Sequence, residues 1–140
     1  MKKVFIDTNV FIDYVAQRGK FYVPAATIIS LSNQGLFSLT VSSLSFATAS
    51  YVLESHYDKT PDEIVASFSQ FVSFCNISSV DEAVVISAIN NPFRDFEDAL
   101  QFHTAMANGA DCIVTRNKGD FTTRIIPILE PQEFLDMLAI

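Results

Sequence analysis

The sequence predicts an α/β fold, with a mostly parallel sheet covered by helices on both faces. Two observations carry this. Short, near-continuous apolar runs such as Val4-Phe5-Ile6 and Cys112-Ile113-Val114 read as strands buried on both faces, and the stretches between such runs have helical periodicity. Val4–Ile6 is the first strand and ends at Asp7; from Asn9 the pattern turns helical through Val10, Ile12, Asp13 and Val15. Residues 23–33 form a second helix, with Pro24 near its start and Gly35 beyond its end, and Phe37 to Val41 is strand-like. Ser42 or Ser43 caps a long helix running to about His56. Thr60-Pro61-Asp62-Glu63 starts the next, because Thr caps, Pro takes the first helical position and Glu63 reaches back. Its apolar stripe is Ile64, Val65, Phe68, Phe71 and Val72, and Cys75-Asn76-Ile77 is a short strand. Ser79 with Glu82 repeats the capping-box spacing, and Asn90-Asn91-Pro92 breaks the helix that follows. Asp95 caps a helix that stops at Asn108-Gly109. After the strand Cys112–Val114, residues 125–129 form another strand, which Pro127 confines to an edge, and Pro131 opens a last helix.

Composition bounds the function. With 140 residues and no repeat or linker, one domain over 1–140 is expected. Thirteen Phe and a 49% hydrophobic content exclude disorder, and only 4 Gly and 5 Pro exclude collagen-like or linker-like chains. No run of about 20 apolar residues suggests a membrane helix. Met1-Lys2-Lys3 is followed too soon by Asp7 to begin a signal peptide, so the cytoplasm is the expected compartment. Cys75 and Cys112 then read as buried free thiols. The net charge of −7, from 16 acids against 9 Lys and Arg, argues against a general nucleic-acid coat. It leaves open an enzyme that meets phosphate through a metal ion held by carboxylates.

The position of the acids is therefore what matters. Asp7 directly follows the first strand, Asp98 lies in the first turn of the helix begun by Asp95, and Asp120 follows the strand Cys112–Val114 after a short loop. Parallel sheets keep their sites at the carboxyl ends of strands, where the strand order switches. Carboxylates gathered there repel one another unless a cation neutralises them. An oxygen-rich set suits Mg²⁺ or Mn²⁺, the ions of metal-assisted phosphodiester hydrolysis. Taken singly, each acid also has a plainer reading: Asp7 as a helix cap, Asp98 as a first-turn acid favoured by the helix dipole, Asp120 as a turn former.

The phrases around these acids are more specific than the acids alone. Phe5-Ile6-Asp7-Thr8-Asn9-Val10-Phe11-Ile12-Asp13, Asp95-Phe96-Glu97-Asp98-Ala99-Leu100-Gln101 and Asp111-Cys112-Ile113-Val114-Thr115-Arg116-Asn117-Lys118-Gly119-Asp120-Phe121 stand in the order of a PIN-domain protein. Over almost its whole length the chain resembles that family, and most of all its small bacterial VapC-like toxins. The resemblance implies a three-layer α/β/α sandwich and divalent-metal-dependent cleavage of RNA with Mg²⁺ or Mn²⁺. It implies that Asp7, Asp98 and Asp120 are the catalytic and metal-ligating acids. Around them it places Thr8 and Asn9 beside the first acid, and Thr115 and Asn117 in the loop before the last. An antitoxin protein covering the cleft and a homodimer are further implications.

One position departs from the pattern. In the phrase Ser42-Ser43-Leu44-Ser45-Phe46-Ala47-Thr48, Thr48 stands where the family usually carries Glu. Thr cannot ionise, so it cannot act as a general base. Glu54 does not replace it, since six residues turn a helix by about 600° and leave it roughly 120° away from Thr48. Asp95 and Glu97 are nearby in sequence and one of them could supply the missing charge, but adjacent helical residues point about 100° apart and Asp95 has a cap to make, so a weakened site is favoured over compensation. The expectation is thus a ribonuclease weakened at one acid. The alternative is a catalytically inactive PIN-fold module that binds RNA or protein.

Other chemistries find less support. His56 and His103 lack zinc-ligand spacing, no Gly-x-Ser-x-Gly elbow occurs, and no phosphate-binding Gly-rich loop is present. A phosphatase using Asp7 as nucleophile would want a second Asp where Asn9 stands. Arg94, Arg116, Lys118 and Arg124 flank the acids and are candidate contacts to an RNA backbone. Phe21, Phe68, Phe71 and Phe74 read as core in preference to a platform for bases.

Overall fold

The computed structural model describes residues 2–123 and 125–138. Arg124 and Met1 lie outside them. The described residues form five strands and seven α-helices: β1 (Lys3–Ile6), α1 (Thr8–Val15), α2 (Tyr22–Asn33), β2 (Ser38–Ser42), α3 (Ser43–Tyr57), α4 (Pro61–Val72), β3 (Asn76–Ser78), α5 (Glu82–Asn90), α6 (Phe96–Ala107), β4 (Cys112–Val114), β5 (Ile128–Leu129) and α7 (Pro131–Leu138). All strand pairs are parallel, in the order β3-β2-β1-β4-β5. The chain therefore winds outward one way from β1 to β3 and returns to the other side of β1 at β4. The two directions part between β1 and β4.

Strand alternation sorts the core into two layers. Val4, Ile6, Leu39, Val41, Cys112 and Val114 point to one face, where they meet side chains from α1, α2, α3, α4 and α7. Phe5 and Ile113 point to the other, against Phe102 and Ala105 of α6 and Phe121. The result is the expected α/β/α sandwich. On the first face Phe11 anchors an aromatic cluster, with ring centroids 4.5 Å from Phe71, 5.0 Å from Phe46 and 5.7 Å from Phe68. No helix among the described residues is long and apolar enough to cross a membrane.

Local signals set most boundaries. Ser42 Oγ accepts from the Leu44 amide at 3.0 Å to start α3. Thr60 and Glu63 form the reciprocal capping box at α4. Gly109, at φ +72°, ends the turn after α6 in a conformation open to glycine at little cost. Pro127 cannot donate to a ladder, yet its carbonyl accepts from the Ile113 amide at 3.0 Å, and β5 lies at the sheet edge as the proline requires.

Several expectations are corrected. On α4 only Ile64 and Phe71 of the stripe are buried; Val65 is 63% and Val72 42% exposed, because one face of α4 has no layer beyond it. Asp81, not Ser79, caps α5, accepting from the Val84 amide at 3.0 Å. The strand over 125–129 shrinks to Ile128–Leu129, with Ile125 turned to solvent. Phe21 is a surface ring lying under the Arg116 guanidinium at 3.9 Å, not a core residue. Cys112 is buried but Cys75 only half so; both are free thiols, and burial pushes them up to about 11 and about 12 respectively, so both stay protonated.

Truncation at the hub of the aromatic cluster and truncation on the exposed face of α4 should separate cleanly. Phe11→Ala is expected to cost about 3–5 kcal/mol in urea unfolding, through lost burial and the cavity left among three rings. Val65→Ala should stay within about 0.5 kcal/mol of the parent. Equal losses would show that the cluster is not the core of that layer.

Candidate active site

The site lies where β1 and β4 part, at their carboxyl ends, as the topology of an open parallel sheet dictates. Asp7 follows β1 with extended backbone (φ −71°, ψ 161°), and its Oδ1 turns back to accept from the Thr8 amide at 2.8 Å. The plain reading of Asp7 as a helix cap holds, and the cap occupies one of its two carboxylate oxygens. Only 5% of the residue is exposed. Burial pushes its carboxyl up, while hydrogen bonds from Gln101, Thr115 and Thr8 pull it back and the neighbouring charge of Asp120 raises it further.

Three elements converge to hold Asp7. Just after β4, Thr115 Oγ1 donates to Asp7 Oδ2 at 2.8 Å. From α6, the Gln101 amide reaches Asp7 Oδ1 at 3.1 Å, Thr8 Oγ1 at 3.0 Å and Ser45 Oγ at 3.2 Å. Thr8 and Ser45 share a further hydrogen bond of 2.7 Å between hydroxyls, joining α1 to α3. Gln101, Ser45 and Thr115 are fully buried, so this polar knot sits in a low dielectric where each bond counts for more. Asn9 lies alongside, with Nδ2 3.5 Å from Asp7 Oδ2 and 3.4 Å from Thr115 Oγ1, while its Oδ1 accepts from the Arg116 amide at 3.2 Å. The Asn117 amide donates to Thr115 Oγ1 at 3.1 Å.

The other acids face this knot from α6 and from the loop after β4. Asp95 caps α6, its Oδ1 accepting from the Asp98 amide at 3.2 Å. Asp7, Asn9, Thr48, Asp95, Glu97 and Asp98 line one small cleft of about 230 Å³. Asp120 is exposed and lines the adjoining cleft of about 410 Å³ with Arg94 and Asp95. Asp98 stands between the two groups. Burial, then the charges of Asp7, Asp95, Asp120 and Glu97, push its carboxyl up to about 7. Burial and the charges of Asp7 and Asp95 also raise Glu97, whose Oε1 accepts from Thr48 Oγ1 at 3.5 Å.

The structure therefore brings Asp7, Asp98 and Asp120 within electrostatic reach of one another, with Thr48 on the opposite wall. Among the described residues no three Asp, Glu, His or Cys side chains are gathered closely enough to hold a metal ion as they stand. The donor set still fits Mg²⁺ or Mn²⁺, ions that keep several of their waters and take only one or two carboxylates directly. Its chemistry is all oxygen, and burial together with the surrounding acids holds the Asp98 carboxyl above the usual carboxylate range.

Of the basic candidates, Arg94 is exposed at the rim beside Asp120. Arg116 is committed elsewhere: Nε meets Asp13 Oδ2 at 2.6 Å and Nη2 meets Oδ1 at 3.2 Å. Arg18 Nε holds the same carboxylate at 2.8 Å, and Asp13 is 1% exposed. Lys118 pairs with Glu133 at 2.8 Å. Sequence reasoning assigned no role to Gln101 or Asp13. Gln101 stands three residues after Asp98 and so shares its helix face, a signal that was there to use. Asp13, one turn and a half beyond Asp7 amid apolar residues, is a buried acid that had to find a cation.

A PIN-domain family model matches residues 3–119. Ribonuclease VapC1 of Aquifex aeolicus is 31% identical over 96% of this chain and 94% of its own length. Among solved structures, VapBC2 from Rickettsia felis bound to a DNA fragment from its promoter superposes with a TM-score of 0.68 at 15% identity, covering 91% of this chain and 98% of that one. A toxin–antitoxin complex from Klebsiella pneumoniae gives 0.67 at 18% identity, covering 91% and 97%.

The raised Asp98 carboxyl ties stability to pH with a definite sign. Its folded value of about 7 lies above the ordinary 3.8, so between those values the folded state holds a proton that the unfolded state has lost. Stability from this group is therefore complete below about pH 4 and lost as pH rises through 7. Asp98→Asn should flatten that slope in chelator, melting above the parent at pH 8 and converging with it at pH 4. Parallel melting curves across this window would show that Asp98 carries no such strain.

Proposed function

The chain belongs to the PIN-domain family, and on that premise we propose that it is a divalent-metal-dependent endoribonuclease of the VapC-like toxin kind. The observation that carries this reading is the buried Asp7 carboxylate at the β1–β4 crevice, facing acids that burial and mutual repulsion have raised. Such an arrangement costs stability and is repaid only by a ligand of opposite charge. Asp7, Asp98 and Asp120 would hold the Mg²⁺ or Mn²⁺. When bound, that ion would neutralise charge on the scissile phosphate and make water a better nucleophile.

The chain's own residues supply the orientation. Gln101 and the Thr8 amide fix one oxygen of Asp7, and Thr115 fixes the other, so the carboxylate cannot rotate away from the cleft. Asn9 braces Thr115 and, through the Arg116 amide, the loop that carries Asp120. The Arg116–Asp13–Arg18 clamp pins that loop to α1 from behind. Arg94, exposed at the rim, would meet a phosphate of the RNA backbone. Thr48 offers a hydroxyl where a charge is expected, so turnover is slow unless another acid restores that charge. As a toxin, the protein would have its cleft covered by a segment of an antitoxin.

The test is cleavage of single-stranded RNA with Mn²⁺ by the wild type and by Asp7→Asn. Loss of a hydrogen-bond partner that orients a metal ligand already costs about 10–100-fold, so loss of a ligand itself should cost at least about a hundredfold. Chelator should abolish cleavage by both. Equal cleavage by the two proteins removes the nuclease reading. No cleavage with any metal, alongside retained RNA or protein binding, assigns the chain to the inactive binding module that Thr48 would favour.

A further inference from the structure

Thr48 and Glu97 face each other across the narrow cleft beside Asp7. Thr48 sits in the second turn of α3 and Glu97 at the second position of α6, half-buried, with Thr48 Oγ1 donating to its Oε1 at 3.5 Å. A glutamate projecting from position 48 would deliver its carboxylate into that same gap. The gap is filled instead from the other wall. From this contact we propose that Glu97 supplies the fourth carboxylate of the ion site from α6, and that Thr48 is the positioning residue that holds it there. The inference rests on the nuclease reading above and refines its ligand set.

Adjacent residues of a helix point about 100° apart, which would set Glu97 and Asp98 on different sides of α6 in mid-helix. At the first turn the objection fails. Every Cα–Cβ bond leans towards the N-terminus, so side chains of the first turn overhang the open end of the helix whatever their bearing around it. Both Glu97 and Asp98 line the cleft that holds Asp7. Glu97 has one methylene more than Asp98, the reach needed to cross to α3. Asp95, the remaining acid of the phrase, is spent on the cap, and its Oδ1 already holds the Asp98 amide at 3.2 Å.

The two positions also exclude each other. A glutamate at 48 and one at 97 would place two carboxylates in a cleft of about 230 Å³ already bordered by Asp7 and Asp98. A small hydroxyl residue at 48 leaves room for Glu97 and donates to it. Thr48 and Glu97 thus act as one unit, in which the charge has moved from α3 to α6 while its place in space is kept.

A bare helix-dipole acid at position 97 would stabilise α6 and leave ion affinity alone, so the discriminating measurement is Mn²⁺ binding by calorimetry on the folded protein, with melting temperature recorded for each variant. Glu97→Gln should weaken Mn²⁺ binding by about tenfold or more. The double variant Thr48→Glu/Glu97→Gln, which returns the acid to α3, should recover to within about threefold of the wild type. Asp7→Asn, the control for the underlying reading, should lose binding. Glu97→Gln binding as tightly as wild type while Asp7→Asn fails overturns the role of Glu97 and leaves the nuclease site standing. A folded double variant that stays as weak as Glu97→Gln overturns the exchange between the two positions. Wild-type binding by Asp7→Asn instead defeats the parent reading.

Discussion

The structure turns on one buried charge. Asp7 directly follows the central strand, and its carboxylate is almost cut off from water. A bare carboxylate in such a place is costly, and every nearby element responds by donating to it: the first amide of α1, Thr115 after β4 and Gln101 from α6. These donors come from segments far apart in sequence. The requirement to satisfy Asp7 therefore draws the two halves of the sheet together at the point where the chain reverses its direction of winding. Donors satisfy only part of the demand. The carboxyls of Asp98 and Glu97 are held up in turn, first by their own burial and then by the charges of Asp7 and Asp95.

That incomplete neutralisation is informative because the same protein neutralises another buried acid thoroughly. Asp13, on the same helix, receives two guanidinium groups and keeps no unmet demand. Arg18 and Arg116 both go to Asp13. Asp13 is thus paired by charge from within, whereas Asp7 is oriented by hydrogen-bond donors that carry no charge. The Arg116–Asp13 pair then has a mechanical task. With Phe21 stacked beneath the guanidinium, it fastens the loop after β4 to α1 and so sets the distance between Thr115 and Asp7.

Much of this could be read in the sequence because it is local. Asp7 after an apolar triplet, the Thr60–Glu63 box, Asp95 ahead of its helix and Pro127 at an edge each act within a few residues, and each stands where local rules place it. The positions of Asp7 and Asp98 near one crevice follow from the βα order alone. What was illegible depends on partners remote in sequence. Val65 and Val72 fit an apolar stripe, but whether a second layer covers them is decided by how α4 docks. Asp81 outcompeted Ser79 as a cap because the chain enters α5 two residues later than the capping-box spacing suggests. Gln101 looked like an ordinary polar residue until the fold set it against a carboxylate 94 positions away.

The destination of the arginines also shapes how a polyanion could be met. Arg116 and Lys118 lie in the phrase beside Asp120 and look like phosphate contacts, but one is clamped to Asp13 and the other paired with Glu133. At a net charge of −7 the protein's long-range field repels RNA. At physiological ionic strength that field fades over about 8 Å, so repulsion governs the approach and hardly touches what happens in contact. In the proposed nuclease, recognition would then be settled within the cleft, where a divalent ion among the carboxylates would outweigh any surface charge. An acidic surface around such a site would work as a filter, disfavouring casual binding along a nucleic-acid backbone and leaving attraction only where a phosphate could reach the ion.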